Sequence, residues 1–299
     1  MINRYLSLAQ QGKNVWWRYV VSIVIILFFY QIIGCIPLAV MYAFLAGDGN
    51  PATNFNLLTL QAEGVDSLFS YLIINAIPLA LLAGLYLTVR FIHKRRLITL
   101  ITPNAKLNWR RVLQGGGIYF GITLIITAIG MAIAPQDYQL TFKPIQFLIF
   151  LPIALIITPL QTSAEELFFR GYIMQGIGLK TQNSFIPVFG SSILFMLPHL
   201  ANPEVKSNFW LMASYYLGFG LFLAFITIRD NSLELAMGVH AANNLFVALI
   251  LNFPGSSLPS PSIFTGPKVN PLADLIWFIL AAVIFCFAIF RKPAPSRAD

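Results

Sequence analysis

Apolar runs long enough to cross a lipid bilayer recur along this chain, and they limit its fold more than any other feature. A helix needs about 20 apolar residues to span roughly 30 Å of hydrocarbon. Eight stretches read as spans: Tyr19 to Ala46, Leu68 to Ile92, Val112 to Ala134, Ile145 to Leu160, Phe185 to Leu200, Phe209 to Ile228, Leu233 to Phe253 and Leu272 to Phe290. The fourth and fifth are short. Composition agrees, since 58% of the 299 residues are apolar and only 10% are charged. Backbone polar groups in lipid must bond internally, so the expected fold is an all-α, polytopic membrane bundle embedded in the bilayer. No repeat, low-complexity block or linker marks a second unit, and residues 1–299 read as a single membrane domain. The stretch from Pro254 to Pro271 reads as a loop between spans seven and eight.

Residues 1–18 are polar and basic, and the run behind them is too long for the h-region of a cleaved signal peptide. They are expected to form a polar tail, or a short interfacial segment with Trp16 and Trp17 among Arg4, Lys13 and Arg18. Of the nineteen Lys and Arg residues, eight crossings put only Lys143, Lys206 and Lys268 on one side and the remaining sixteen on the other. That asymmetry predicts cytoplasmic termini, including the tail 291–299. Basic loops beside an anionic leaflet also account for the formal charge of +8, so no nucleic-acid partner is expected. Cys35 and Cys286 lie within spans without CxxC spacing, which argues against a disulfide framework or thiolate metal site. Gly117 and Gly121 form a GxxxG in the third span and are expected at a close helix contact. The sequence sets no oligomeric state.

A few ionisable groups remain at membrane depth, where each is costly: Glu165, Glu166, Arg170, His199, Glu234 and His240. "SAEELFFR" has a purely structural reading, with Ser163 as N-cap and Glu166 at the third helical position of a capping box. Glu166 and Arg170 also pair at i, i+4. Glu165 is left over, because it lies about 100° round the helix from Glu166. "FMLPHL" puts His199 behind Pro198, whose missing N–H frees a carbonyl and tends to kink the helix. In "GVHAANNLFVAL", His240 and Asn244 share one helix face while Asn243 points elsewhere.

Two chemistries suit these residue types. A carboxylate and an imidazole can activate water while neighbouring donors stabilise an oxyanion. Alternatively, Glu165, Glu166, His199 and His240 can ligate zinc, which lowers the pKa of bound water towards 7. The HExxH signature is absent. Both routes lead to hydrolysis, for which water must reach the site through a polar cavity open to the cytoplasm. Two other classes stand beside them: an ion-coupled transporter that relays protons through these groups, and a non-catalytic membrane binder. The groups cluster rather than form a path, and no inverted repeat or pair of broken helices is apparent, which weighs against transport.

In order along the chain, "EELFFR" (Glu165, Glu166, Arg170), "FMLPH" (Phe195, His199) and "HAANN" (His240, Asn244) resemble the EExxxR, FxxxH and HxxxN motifs of the CPBP intramembrane proteases. That family includes the type II CAAX prenyl proteases and the bacterial Abi proteins linked to bacteriocin processing and immunity. The resemblance covers about residues 145–252 and implies an eight-helix fold. It implies that Glu165 and His199 activate water, that His240 and Asn244 form the oxyanion site, and that Glu166 and Arg170 orient the cluster. The implied substrate is a membrane-associated protein or peptide; the family has been described both as metal-dependent and as a glutamate-type peptidase without metal, and the metal-free form is the one favoured here. A prenylated C-terminus is one substrate the resemblance admits, although nothing in the sequence reads a prenyl group. An immunity protein that keeps the motifs without turnover is the non-catalytic version, and a bacterial cytoplasmic membrane is the expected location.

Overall fold

The computed structural model describes residues 3–50, 52–56 and 61–291, so the expected tail beyond Arg291 lies outside the described residues. The helices are α1 (Trp16–Gly47), α2 (Ser67–Ile92), α3 (Trp109–Ile133), α4 (Pro144–Gly178), α5 (Phe185–His199), α6 (Phe209–Asp230), α7 (Glu234–Leu249) and α8 (Pro271–Phe290). Among the described residues, six of these, all but α5 and α7, are long and apolar enough to cross a membrane. Large apolar side chains such as Val24, Phe44, Ile125 and Val283 point outward. The protein is an integral multi-pass membrane protein built as a helical bundle.

Two boundaries differ from the sequence expectation. The fourth span does not stop near Leu160 but runs through α4 for 35 residues. Ser163 is therefore inside a helix and caps nothing. The polar residues there find partners within the fold, as when Thr162 bonds back to the Thr158 carbonyl at 3.1 Å, so the helix continues. Beyond Glu166 the helix widens into π-turns over Leu167–Met174, a distortion frequent at functional sites. The seventh span ends earlier than expected, at Leu249. The chain then makes a two-residue strand, Leu251–Asn252, paired in parallel with Phe264–Thr265 in the loop before α8.

Helix α7 packs along α3 and α4. Missing side chains allow this closeness: a Cβ on Gly238 would lie 2.0 Å from the Val112 carbonyl oxygen, and one on Gly115 would lie 2.6 Å from that of Leu235. The expected GxxxG contact is corrected here, since Gly117 and Gly121 would meet nothing within 4 Å. They face away from α7, whereas Gly115 and Gly116 face it.

The N-terminal residues are not a free tail. Tyr5, Leu6, Leu8 and Ala9 are buried, the Tyr5 hydroxyl donates to the Leu100 carbonyl at 2.7 Å, and Asn3 donates to the Ile228 carbonyl at 3.1 Å. His93 ties this end to α4, with Nδ1 bonded to the Lys13 carbonyl and Nε2 to the Tyr172 hydroxyl, both at 2.9 Å. Arg4 and Lys13 turn to the surface, Arg18 is half-buried with its guanidinium bonded to the Ile92 carbonyl, and Tyr5, Leu6, Leu8 and Ala9 fill the end of the bundle.

Candidate active site

Three helices bring the polar residues together. Helix α4 carries Gln161, Glu165, Glu166 and Arg170; the last turn of α5 carries His199; the middle of α7 carries His240 and Asn244. Along α7 the spacing of four residues stacks His240 and Asn244 on the face turned to α4.

Glu166 and Arg170 are fully buried and pair at 2.8 Å. The same Glu166 oxygen, Oε1, accepts from His240 Nδ1 at 2.8 Å. Arg170 also donates to the Gly220 carbonyl at 3.0 Å, and its guanidinium carbon lies 4.3 Å from the Phe195 ring centre. Moving a charge out of water is costly, and here one carboxylate, one guanidinium and one imidazole offset that cost between them.

Glu165 points the other way round the helix. Its Oε1 accepts from the Gln161 amide, and its Oε2 is buried with no hydrogen-bond partner. Oε2 lies 3.8 Å from His199 Nε2 and 3.8 Å from His240 Nε2. His199 Nδ1 contacts the Phe195 carbonyl at 2.7 Å. A carbonyl only accepts, so Nδ1 carries the hydrogen and Nε2 of the neutral ring presents its lone pair to Glu165. Two acceptors 3.8 Å apart are served by a molecule that donates to both, which is what one water does.

Aromatic rings hold the imidazole of His199. Phe195 lies 4.4 Å and Tyr216 4.8 Å from it, centre to centre. Tyr216 donates to Glu204 Oε1 at 2.5 Å, and the same oxygen accepts from Ser257 at 3.0 Å and Asn202 at 3.3 Å. Asn244 donates through Nδ2 to Gln161 Oε1 at 3.0 Å and accepts from Asn243 at 3.1 Å.

All seven residues singled out by the motifs, Phe195 included, thus lie in one cluster. Asn243, expected to point elsewhere, is linked to the cluster through Asn244. Glu234 is not part of it: its Oε1 accepts from the Asn108 backbone N–H at 2.7 Å, at the start of α3. Gln161, Tyr216 and Glu204 were missed. Gln161 is one helical turn before Glu165, a signal hidden by the assumption of a helix start at Ser163. Tyr216 and Glu204 carry no local pattern at all.

Glu165, Glu166, His199 and His240, the residues of the zinc alternative, lie together here. Glu166 Oε1 and His240 Nδ1 bond to each other, and among the described residues no group of three or more His, Cys, Asp or Glu side chains is disposed to hold a metal ion.

Residues 144–246 match the family described as type II CAAX prenyl endopeptidase Rce1-like. A full-length relationship comes from "Uncharacterized protein YyaK" of Bacillus subtilis (strain 168), 34% identical over 279 residues, which cover 92% of this chain and 91% of that protein. This chain belongs to the Rce1-like CAAX protease family. The family match runs from the start of α4 to Phe246 and so contains every residue of the Glu165–His199–His240 cluster. No solved structure matches the chain. Membership of the Rce1-like family makes a membrane protease acting on a membrane-associated peptide the general class of this molecule.

Proposed function

We propose that this Rce1-like protein is a glutamate-type intramembrane endopeptidase that hydrolyses a peptide bond in a membrane-associated or lipidated protein of a bacterial cytoplasmic membrane. The observation carrying this reading is the approach of Glu165 Oε2 to the Nε2 atoms of His199 and His240, 3.8 Å from each.

Water held between Glu165 and His199 donates to both acceptors, and its oxygen attacks the scissile carbonyl as its proton passes to this pair. The oxyanion that forms accepts from the free N–H of Asn244 and from an N–H at His240 Nε2. Collapse of the tetrahedral intermediate breaks the C–N bond, and the proton held by the pair leaves with the amine. Glu166 and Arg170 fix the His240 ring through Nδ1. Polar groups crowded at one depth need water, so access from the cytoplasmic side through the bundle is part of the reading.

Membrane-protein termini compared between cells carrying the wild type and cells carrying Glu165→Gln at equal abundance provide the test. New termini found only with the wild type are expected, and these also name the substrate. Their absence across growth conditions sinks the protease reading and leaves a non-catalytic binding or immunity role. Stoichiometric zinc in purified active protein overturns the metal-free mechanism.

A further inference from the structure

We propose that Gln161 is a positioning residue that sets both halves of the site at once, aiming the free oxygen of Glu165 and the free N–H of Asn244. This inference rests on the hydrolytic reading above.

The bonding pattern of one amide carries it. Gln161 Nε2 donates to Glu165 Oε1, and Gln161 Oε1 accepts from Asn244 Nδ2 at 3.0 Å. The first bond occupies Oε1, so Oε2, which has no partner and faces the two Nε2 atoms, is the oxygen left to take part in chemistry. The second bond fixes the orientation of the Asn244 amide. A carbonyl oxygen cannot donate, so Nδ2 must face Gln161, and its second hydrogen is left for an oxyanion. The Asn243 bond to Asn244 Oδ1 enforces the same orientation. Gln161 itself is buried and sits one turn from Glu165 on α4, so its backbone holds it at fixed distance from the carboxylate it orients.

Neither Asn, one carbon shorter, nor an acidic residue reproduces this bridge. A Glu at 161 keeps the acceptor for Asn244 but presents an acceptor to Glu165 as well. Met at 161 is close in length and removes both bonds while filling the space.

The test combines kinetics with a readout that needs no turnover. In Gln161→Met, kcat is expected to fall about tenfold or more with KM changed less than about twofold, because the groups affected act on the transition state. Gln161→Glu should lose at least as much kcat, and it serves where Gln161→Met does not fold. The double variant Gln161→Met with Asn244→Ala should lose less than the product of the two single losses, by about threefold or more, as expected for residues working through one bond. Difference infrared spectra, wild type minus Glu165→Gln, isolate the Glu165 carboxylate bands, and these should shift in Gln161→Met. Unchanged kcat and unchanged carboxylate bands overturn the inference, as do multiplicative losses in the double variant. A shifted carboxylate with no cleavage by the wild type sinks the hydrolytic reading but keeps Gln161 as the group that orients Glu165.

Discussion

Glu165 and Glu166 are neighbours in sequence and meet different surroundings, because a helix turns about 100° per residue. Glu166 is enclosed and committed to Arg170 and His240; Glu165 keeps one oxygen free towards two imidazoles. The two therefore differ in what their loss does. Glu165→Ala and His199→Ala are expected to abolish cleavage while expression and melting temperature in detergent stay near wild type. Arg170→Met removes the guanidinium from the buried Glu166 carboxylate and leaves it only the His240 imidazole, and should cost about 3–5 kcal/mol of stability, read as a lower melting temperature. Asn244→Ala should lower kcat about 10²-fold, the usual result of losing one oxyanion donor, and an unchanged kcat would remove Asn244 from the site. These residues were legible in the sequence because each is polar in an apolar background. Gln161 and Tyr216 were not, since an amide or a tyrosine in a membrane helix raises no alarm until its partner is known. The partners are remote: Asn244 is 83 residues from Gln161, and Ser257 is 53 from Glu204.

At the scale of elements, the short helices matter most. Helices α5 and α7, of 15 and 16 residues, are too short to cross a bilayer at 1.5 Å per residue, yet they hold His199, His240 and Asn244. Both pack against the longer helices α4 and α6. The contact of α7 with α3 depends on glycine. Gly238→Ala puts a methyl group 2.0 Å from the Val112 carbonyl, so the helices must separate; melting temperature and activity should both fall. Gly117→Ala meets open space and should leave both unchanged, and equal effects at the two positions would contradict this packing. The GxxxG pattern pointed to the wrong glycines because spacing marks a flat stripe without saying which helix lies against it.

For the whole molecule, the N-terminal segment is structural. Burial raises the pKa of the Tyr5 hydroxyl above its ordinary value, so it remains a donor to the Leu100 carbonyl. Tyr5→Phe leaves that buried carbonyl unpaired and should destabilise the protein by about 1–3 kcal/mol, measured by thermal unfolding in detergent. A free tail would show no effect. The segment reads as a polar tail or a short interfacial segment because its polar residues dominate the composition, whereas Tyr5, Leu6, Leu8 and Ala9 have an interior to occupy only once the bundle is assembled.

Long apolar runs by themselves determined that this is a multi-pass helical membrane protein, since unbonded backbone is too costly in hydrocarbon for any other spanning structure. Sequence also determined which side chains are expensive at depth, and the three motifs set their order along the chain. Only the tertiary structure decided where α4 ends, which glycines form the contact with α3, and that Gln161 joins Glu165 to Asn244. The physical reason is range. Helical periodicity fixes which residues share a face within one element, but which faces meet depends on side chains and gaps contributed by helices far apart in the chain.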